Sequence, residues 1–158
     1  MVAIRANYLR GVLTTESLAA LRLGDFRAAE AAALERRDLP PNPYSELDPQ
    51  DEISRSQVIA AHALAQQGRL DDARGLVVSE VERYRDERER GATGLSYSLD
   101  FAHALYVAAL VERDGHRRGA LLGEATRLLR AMPPETQRLV DVRVLQEWIE
   151  AARGGPAA

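Results

Sequence analysis

Histidine, serine and carboxylate side chains are the residues of this sequence that could carry out chemistry. The three histidines, His62, His103 and His116, occur singly and lack the paired spacing with which a helix holds zinc. No serine stands in the glycine-flanked motif that presents a nucleophile at a strained turn. The neighbouring acids Asp71 and Asp72 fall at a predicted helix start, where carboxylates interact favourably with the helix dipole. We therefore predict that the chain is not an enzyme and uses neither a metal nor a cofactor.

Two residue types that often take part in catalysis are missing from the sequence. Its 21 basic residues are all arginine and it has no cysteine, which rules out lysine nucleophiles, thiolate metal sites and disulfides. The formal net charge is −3, and arginines alternate with acids instead of forming the basic stripe that nucleic acid or an anionic membrane would attract. No apolar run approaches the roughly 20 residues that cross a bilayer, and the first residues do not resemble a signal peptide. We predict a cytoplasmic chain with neither nucleic acid nor membrane as partner.

Apolar residues recur at helical spacing along the chain and predict seven helices. Six of them form three hairpins, and the last covers the end of the stack. The hairpins are predicted at about 5–37, 49–90 and 95–131, and the capping helix at about 134–153. Aromatic residues make up 5% of the sequence and alanine is abundant, so small side chains must let the helices pack closely. The predicted fold is all-α, in a single domain over residues 1–158.

Two features of the sequence have competing interpretations. The proline-rich stretch 38–48 breaks any helix, and it is either a spacer between hairpins or a functional loop. Trp148, on the predicted capping helix, is either an apolar plug for the end of the stack or a wall of a ligand pocket.

A repeated pattern links the three hairpins. Each has a glycine break followed five residues later by alanine, in the pairs Gly24 and Ala29, Gly68 and Ala73, Gly115 and Ala120. Each also has a small residue seven positions before the glycine, namely Ser17, Ala61 and Ala108. Small residues let one helix approach the next, so the shared spacing predicts the same packing in all three hairpins.

The segments LAALRLGDFRAAEAAAL, IAAHALAQQGRLDDARGLV and HALYVAALVERDGHRRGALLGEA together resemble tetratricopeptide repeats (TPRs). The bulky aromatic usual early in such a repeat is replaced here by Leu13, Gln57 and Ala104. The resemblance implies a short TPR-like α-solenoid that acts as a scaffold or adaptor. It also implies a concave groove, lined by the first helix of each hairpin, that receives a peptide or partner helix.

Carried over residue by residue, the resemblance places partner-binding positions on all three hairpins. They are Arg22, Arg55, His62, Gln66, Leu105, Glu112 and Arg113. Some members of the family clamp a peptide carboxylate with lysine and asparagine, and this sequence has no lysine. Arginine forks could take that role, whereas the competing interpretation is that these arginines are solvated or paired with neighbours such as Glu112.

The leading hypothesis is thus a module that binds a protein or peptide. The alternative is a ligand-sensing or regulatory domain of a bacterial signalling protein, motivated by His62, Tyr106 and the arginines. Self-association into a homo-oligomer is compatible with either hypothesis.

Overall fold

The computed structural model describes residues 2–41 and 48–154, and the regular structure within those ranges is entirely helical. The helices are α1 (Val2–Leu23), α2 (Phe26–Arg37), α3 (Pro49–Gln66), α4 (Leu70–Glu89), α5 (Leu95–Val111), α6 (Gly115–Arg130) and α7 (Val140–Gly154), with a short 3-10 helix at Thr136–Arg138. For the described part of the chain, the all-α prediction and the predicted seven helices are confirmed. Residues 42–47 of the proline-rich stretch lie outside the described residues.

The last helix begins later than the predicted start near residue 134. The chain first forms the 3-10 turn, in which the Gln137 side chain donates to the carbonyls of Arg130 at 3.3 Å and Met132 at 2.9 Å. These bonds satisfy carbonyls that the end of α6 leaves without a helical partner. Because the turn uses these residues, α7 starts at Val140.

Two of the turns between helices have the geometry that their glycines predict. Gly24 and Gly68 have φ of 77° and 78°, a left-handed conformation that a Cβ atom disfavours. Asp25 then caps α2 by accepting a hydrogen bond from the Ala28 amide at 3.1 Å. Ala29 and Ala73, five residues after the two glycines, are fully buried as predicted.

The third turn is built differently, and the predicted equivalence of Gly115 and Ala120 with the earlier pairs is wrong. Gly115 has no positive φ and is the first residue of α6, capped by Asp114, whose side chain accepts from the Arg117 amide at 2.7 Å. Gly24 precedes its capping residue whereas Gly115 follows it, a shift of two positions. Two residues turn a helix by about 200°, so Ala120 lies on the exposed face of α6.

The difference between these turns predicts different responses to alanine. Gly68→Ala should lower the free energy of unfolding by about 1–2 kcal/mol, the cost of a side chain in the left-handed region. Gly115→Ala should change the free energy of unfolding by no more than about 0.5 kcal/mol, or should raise it, because alanine fits helical φ values. An added Cβ meets no atom within 4 Å at either position, so steric clashes do not confound the comparison. Urea unfolding followed by circular dichroism measures both, and equal losses would contradict the assigned turn geometries.

The chain divides into two compact units, and the boundary falls within α4. In the first unit, Met1–Leu76, α1 packs on α2, α2 packs on α3, and α1 also contacts α3. Ser17 and Ala61, small residues predicted to lie at helix contacts, are both fully buried. The prediction of one domain over residues 1–158 stays a prediction.

The second unit, Val77–Ala158, is organised around α5. α5 packs on α6, and α7 contacts both of them. Between Phe101 and Val111 every residue of α5 is buried except His103 and Leu110, which are half-buried. These two residues are seven positions apart and therefore lie on the same side of the helix. The exposed surface of the middle of α5 is therefore confined to that side.

Candidate partner-binding surfaces

The residues predicted to line a groove fall into two sets, one in each unit. Arg22 on α1 and Arg55, His62 and Gln66 on α3 belong to the first unit, and Leu105, Glu112 and Arg113, on or just after α5, belong to the second. Their part in binding a partner stays a prediction, and the structure gives the surroundings of each.

Three of these residues share one face of α3. Arg55, His62 and Gln66 are spaced by seven and four residues, which places them in line along a helix. The His62 ring is 2% exposed, and its Nε2 lies 3.4 Å from the amide nitrogen of Gln66. With Nε2 unprotonated, the ring accepts a hydrogen bond from that amide. The buried imidazole thus supports Gln66, while the exposed Gln66 and half-buried Arg55 provide polar surface.

The predicted residues in and after α5 have different environments. Leu105 is fully buried in the core of the second unit and offers no surface to a partner. The Glu112 carboxylate accepts a hydrogen bond from the Asp114 amide at 2.9 Å, so it helps to turn the chain into α6. Arg113 is exposed between them, as is Arg22 near the end of α1.

An aromatic ledge formed by His103, Tyr106 and Trp148 lies between α5 and α7. The Tyr106 and Trp148 rings are stacked, with centroids 6.0 Å apart and planes at 19°. The His103 ring lies 6.0 Å from Trp148 at 37°. Tyr106 is 3% exposed, whereas His103 and Trp148 are half-buried. The ledge therefore presents two ring systems to solvent on a buried aromatic support.

The sequence alone indicates part of this ledge. His103 and Tyr106 are three residues apart and so share a face of α5. Trp148 comes from another helix about 40 positions later, a pairing that helical spacing does not reveal. The interpretation of Trp148 as a plug accounts for its packing on Tyr106, but it did not anticipate His103 beside it.

An arginine clamp, formed by Arg10, Arg36, Glu52 and Ser56, holds the helices of the first unit together. Arg10 Nε on α1 lies 2.7 Å from Glu52 Oε2 on α3, and Arg10 also donates to the carbonyl of Pro40. Arg36 on α2 donates to the Glu52 carbonyl at 2.7 Å and to Ser56 Oγ at 2.6 Å. Both arginines are buried, 7% and 6% exposed. The clamp fixes the first turns of α3, from which Arg55 projects.

A second aromatic group supports the start of α5. Phe101 stacks on Tyr84 of α4 with centroids 5.7 Å apart, and Tyr97 lies 5.9 Å from both rings. The Tyr97 hydroxyl donates to the Tyr84 carbonyl. Burial raises the pKa of Tyr97, and the negative charge of Glu87 raises it further. This hydroxyl therefore stays protonated and donates its hydrogen bond throughout the neutral range.

Within residues 2–41 and 48–154, no three or more histidine and carboxylate side chains converge as metal ligands would. None of the helices described there combines the length and the apolar character needed to cross a bilayer.

Comparison with known proteins identifies the fold. No family model matches the sequence, and no curated protein does. A solved structure of a TPR-like protein from Chlorobium tepidum TLS is similar to this chain, with a TM-score of 0.65 over 98% of this chain and 100% of that chain. The chain has a TPR-like fold. The sequence identity is 18%, so the likeness shows the fold alone.

The TPR-like fold confirms the resemblance drawn from the three segments of sequence. The pairing of α1, α3 and α5 with the helices that follow them, and the role of α7 as a cap, stay predictions. Arg55 and Gln66 lie on one of these helices, and the aromatic ledge joins another to α7.

Proposed function

We propose that the chain is a protein-interaction module that binds a peptide or a partner helix on the aromatic ledge and the neighbouring end of α5. The observation that carries this proposal is the half-buried pair of rings His103 and Trp148. From Phe101 to Val111, α5 is otherwise buried except at Leu110, an apolar residue on the same side of the helix as His103. Surface confined to this side supports contact with a partner at the ledge.

The physical character of the ledge suits a binding anchor. Tryptophan and tyrosine are among the residues that most often dominate binding energy, because they bury a large area with few rotatable bonds. The Trp148 ring is already held by stacking on Tyr106, so a partner would spend little entropy in ordering it. The His103 ring adds nitrogen atoms that can donate or accept hydrogen bonds.

Arg113 extends this surface with positive charge. It is exposed and follows the end of α5 at Val111, which lies eight residues, or about 12 Å of helix, beyond His103. A guanidinium fork pairs with a carboxylate through two parallel hydrogen bonds. The partner we propose thus has an apolar or aromatic side chain for the ledge and an acidic group for Arg113, beyond the end of α5. In the first unit, Arg55 and Gln66 offer a separate polar surface on α3.

Trp148 is the single tryptophan of the sequence, so its fluorescence reports directly on the ledge. We expect peptides selected from a random display library on the wild-type protein to change Trp148 emission as they bind. His103→Ala should weaken their affinity by about tenfold, equivalent to ~1.4 kcal/mol of lost contact. Fluorescence titration of purified peptide into each protein measures both effects.

The matched control is Leu139→Ala, which removes an apolar side chain that is 47% exposed and outside the ledge. It should leave peptide affinity and Trp148 emission as in the wild type. The proposal fails if the selected peptides bind without changing Trp148 emission, or if His103→Ala and Leu139→Ala weaken binding equally.

A further inference from the structure

The face of α1 that points away from its own unit carries large apolar side chains. Tyr8, Val12 and Leu23 are 78%, 41% and 84% exposed, and Ala19 between them is also exposed. At 100° per residue these four positions fall within about 60° of one another around the helix. They lie opposite the face that buries Leu13, Ser17 and Ala20. We call this strip of four residues the α1 stripe.

Three residues of the α1 stripe, Tyr8, Val12 and Ala19, line a shallow depression. This depression has a volume of about 730 Å³, and the residues that line it all belong to α1, between Asn7 and Ala19. At its centre lie Gly11 and Thr15, and a Cβ atom added to Gly11 would meet nothing within 4 Å. A glycine inside an exposed helix destabilises the helix relative to alanine. That cost is offset where another helix approaches closely.

The spacing of the positions along the α1 stripe is the same in both directions. Tyr8 and Val12 are four residues apart, Ala19 and Leu23 are four apart, and the midpoint falls between Thr15 and Glu16. A twofold contact needs this kind of self-complementary surface, in which each residue of a pair meets the other member of that pair. Two copies of α1 crossing antiparallel about this midpoint would bring Tyr8 against Leu23 and Val12 against Ala19.

The sizes of the side chains fit such a crossing. Helices that cross at an angle are closest at the crossing point and separate toward their ends. The inner members of the α1 stripe, Val12 and Ala19, are smaller than Tyr8 and Leu23 at its ends. The smaller side chains permit closer approach near the crossing, and the larger ones fill the widening gap.

We propose that the α1 stripe is the contact surface of a homodimer, with α1 of a second copy of this chain as its antiparallel partner. The surface is distinct from the aromatic ledge, so the dimer does not depend on the proposed function. The α1 stripe runs along about 22 Å of one helix face and buries less than the roughly 800 Å² per partner of a standard interface. We therefore expect a weak dimer, with a dissociation constant on the order of tens of micromolar.

Sedimentation velocity over a range of protein concentrations tests association. The wild type should convert from monomer to dimer as concentration rises, and Tyr8→Ser with Leu23→Ser should weaken the dimer at least about tenfold, since both apolar end contacts are lost. Val140→Ser, which removes a 63% exposed valine of α7, is the matched control and should leave the dimer unchanged. Unaltered circular dichroism would show that each variant is folded. A monomer at all concentrations, or equal dimerisation by the double variant, would overturn the proposal.

The absence of cysteine from the sequence allows a test of orientation. Under mild oxidation Thr15→Cys should cross-link with itself, because position 15 lies beside the twofold axis. Tyr8→Cys and Leu23→Cys should cross-link in a mixture but not separately. In the antiparallel pair the two copies of position 8 are about 22 Å apart, whereas a disulfide joins Cα atoms within ~7 Å. Efficient cross-linking of Tyr8→Cys with itself would overturn the antiparallel pairing.

Glu16 provides an independent check of the symmetry. It is exposed beside the midpoint of the α1 stripe, so the proposed dimer brings two Glu16 carboxylates near one another. Like charges at a solvated surface repel weakly. Glu16→Gln should tighten the dimer by about two- to fivefold, measured in the same sedimentation experiment. A weaker dimer in this variant would contradict a twofold axis at this position.

Discussion

Replacing Arg10 by alanine should lower the free energy of unfolding by about 3 kcal/mol, the lower end of what the loss of one partner from a buried ion pair costs. The Arg10 side chain is 8% exposed, and its Nε lies 2.7 Å from a Glu52 carboxylate that is 17% exposed. Without Arg10, that carboxylate loses its ion-pair partner in a largely buried place, and the Pro40 carbonyl loses a donor. Urea unfolding followed by circular dichroism measures the loss.

A second arginine separates burial from charge in this experiment. Arg69 forms ion pairs of similar length, 2.9 Å each, with Glu30 and Asp72, but its side chain is 49% exposed. Arg69→Ala should cost much less than Arg10→Ala, because exposed ion pairs contribute little to stability. Because both variants remove an arginine from the same unit, their difference measures what burial contributes.

A double-mutant cycle with Glu52→Gln tests whether the clamp acts as a pair. If Arg10 and Glu52 stabilise the fold mainly through each other, the double variant should lose less than the sum of the single variants, by about 1–3 kcal/mol. Additive losses would mean that Arg10 acts through the Pro40 carbonyl and not through Glu52.

The arginine clamp also marks a limit of sequence-based prediction. Arg10 and Glu52 are 42 positions apart and Arg36 lies on a third helix, so no local spacing relates them. The arginines of the sequence are interleaved with acids, a pattern that is typical of solvated helix faces. Burial of Arg10 and Arg36 depends on how three helices meet, which the apolar periodicity of each helix alone does not determine.

The local elements of the fold were more accessible from sequence. Gly24 and Gly68 predict left-handed turns because few other residues adopt that conformation, and Asp25 and Asp114 cap their helices as short acidic side chains do. The third turn was mispredicted because a glycine is also tolerated within the first turn of a helix. The presence of a glycine alone therefore did not determine whether it precedes or follows the capping residue.

The candidate surfaces were predicted less completely than the fold. Carrying family positions onto α3 and α5 selected His62 and Leu105, which are almost wholly buried, and omitted His103. The α1 stripe was missed for a related reason: α1 is apolar on two opposite sides, and helical periodicity identified the one that packs. Which apolar side remains exposed depends on tertiary contacts.

Replacing Phe101 by alanine should destabilise the second unit by about 3–5 kcal/mol, the usual cost of removing a buried phenylalanine ring. Phe101 has no exposed surface and contacts the rings of both Tyr84 and Tyr97. Its loss leaves a cavity beside the two tyrosine rings and removes the support at the start of α5. Phe101→Leu should cost less, about 1–2 kcal/mol, because it retains most of the buried volume.

The ledge gives this experiment a second readout. α5 carries both Phe101 and the two ledge residues that contact Trp148, so loss of order in α5 changes the surroundings of that tryptophan. Both Trp148 emission and circular dichroism should show that Phe101→Ala unfolds at a lower urea concentration than the wild type. Val140→Ala truncates an apolar side chain of the same unit that is 63% exposed and should stay within about 0.5 kcal/mol of the wild type. A loss below about 1 kcal/mol for Phe101→Ala would mean that its neighbours close the cavity. The stability of α5, and with it the position of the ledge, would then depend on its contacts with α6 and α7.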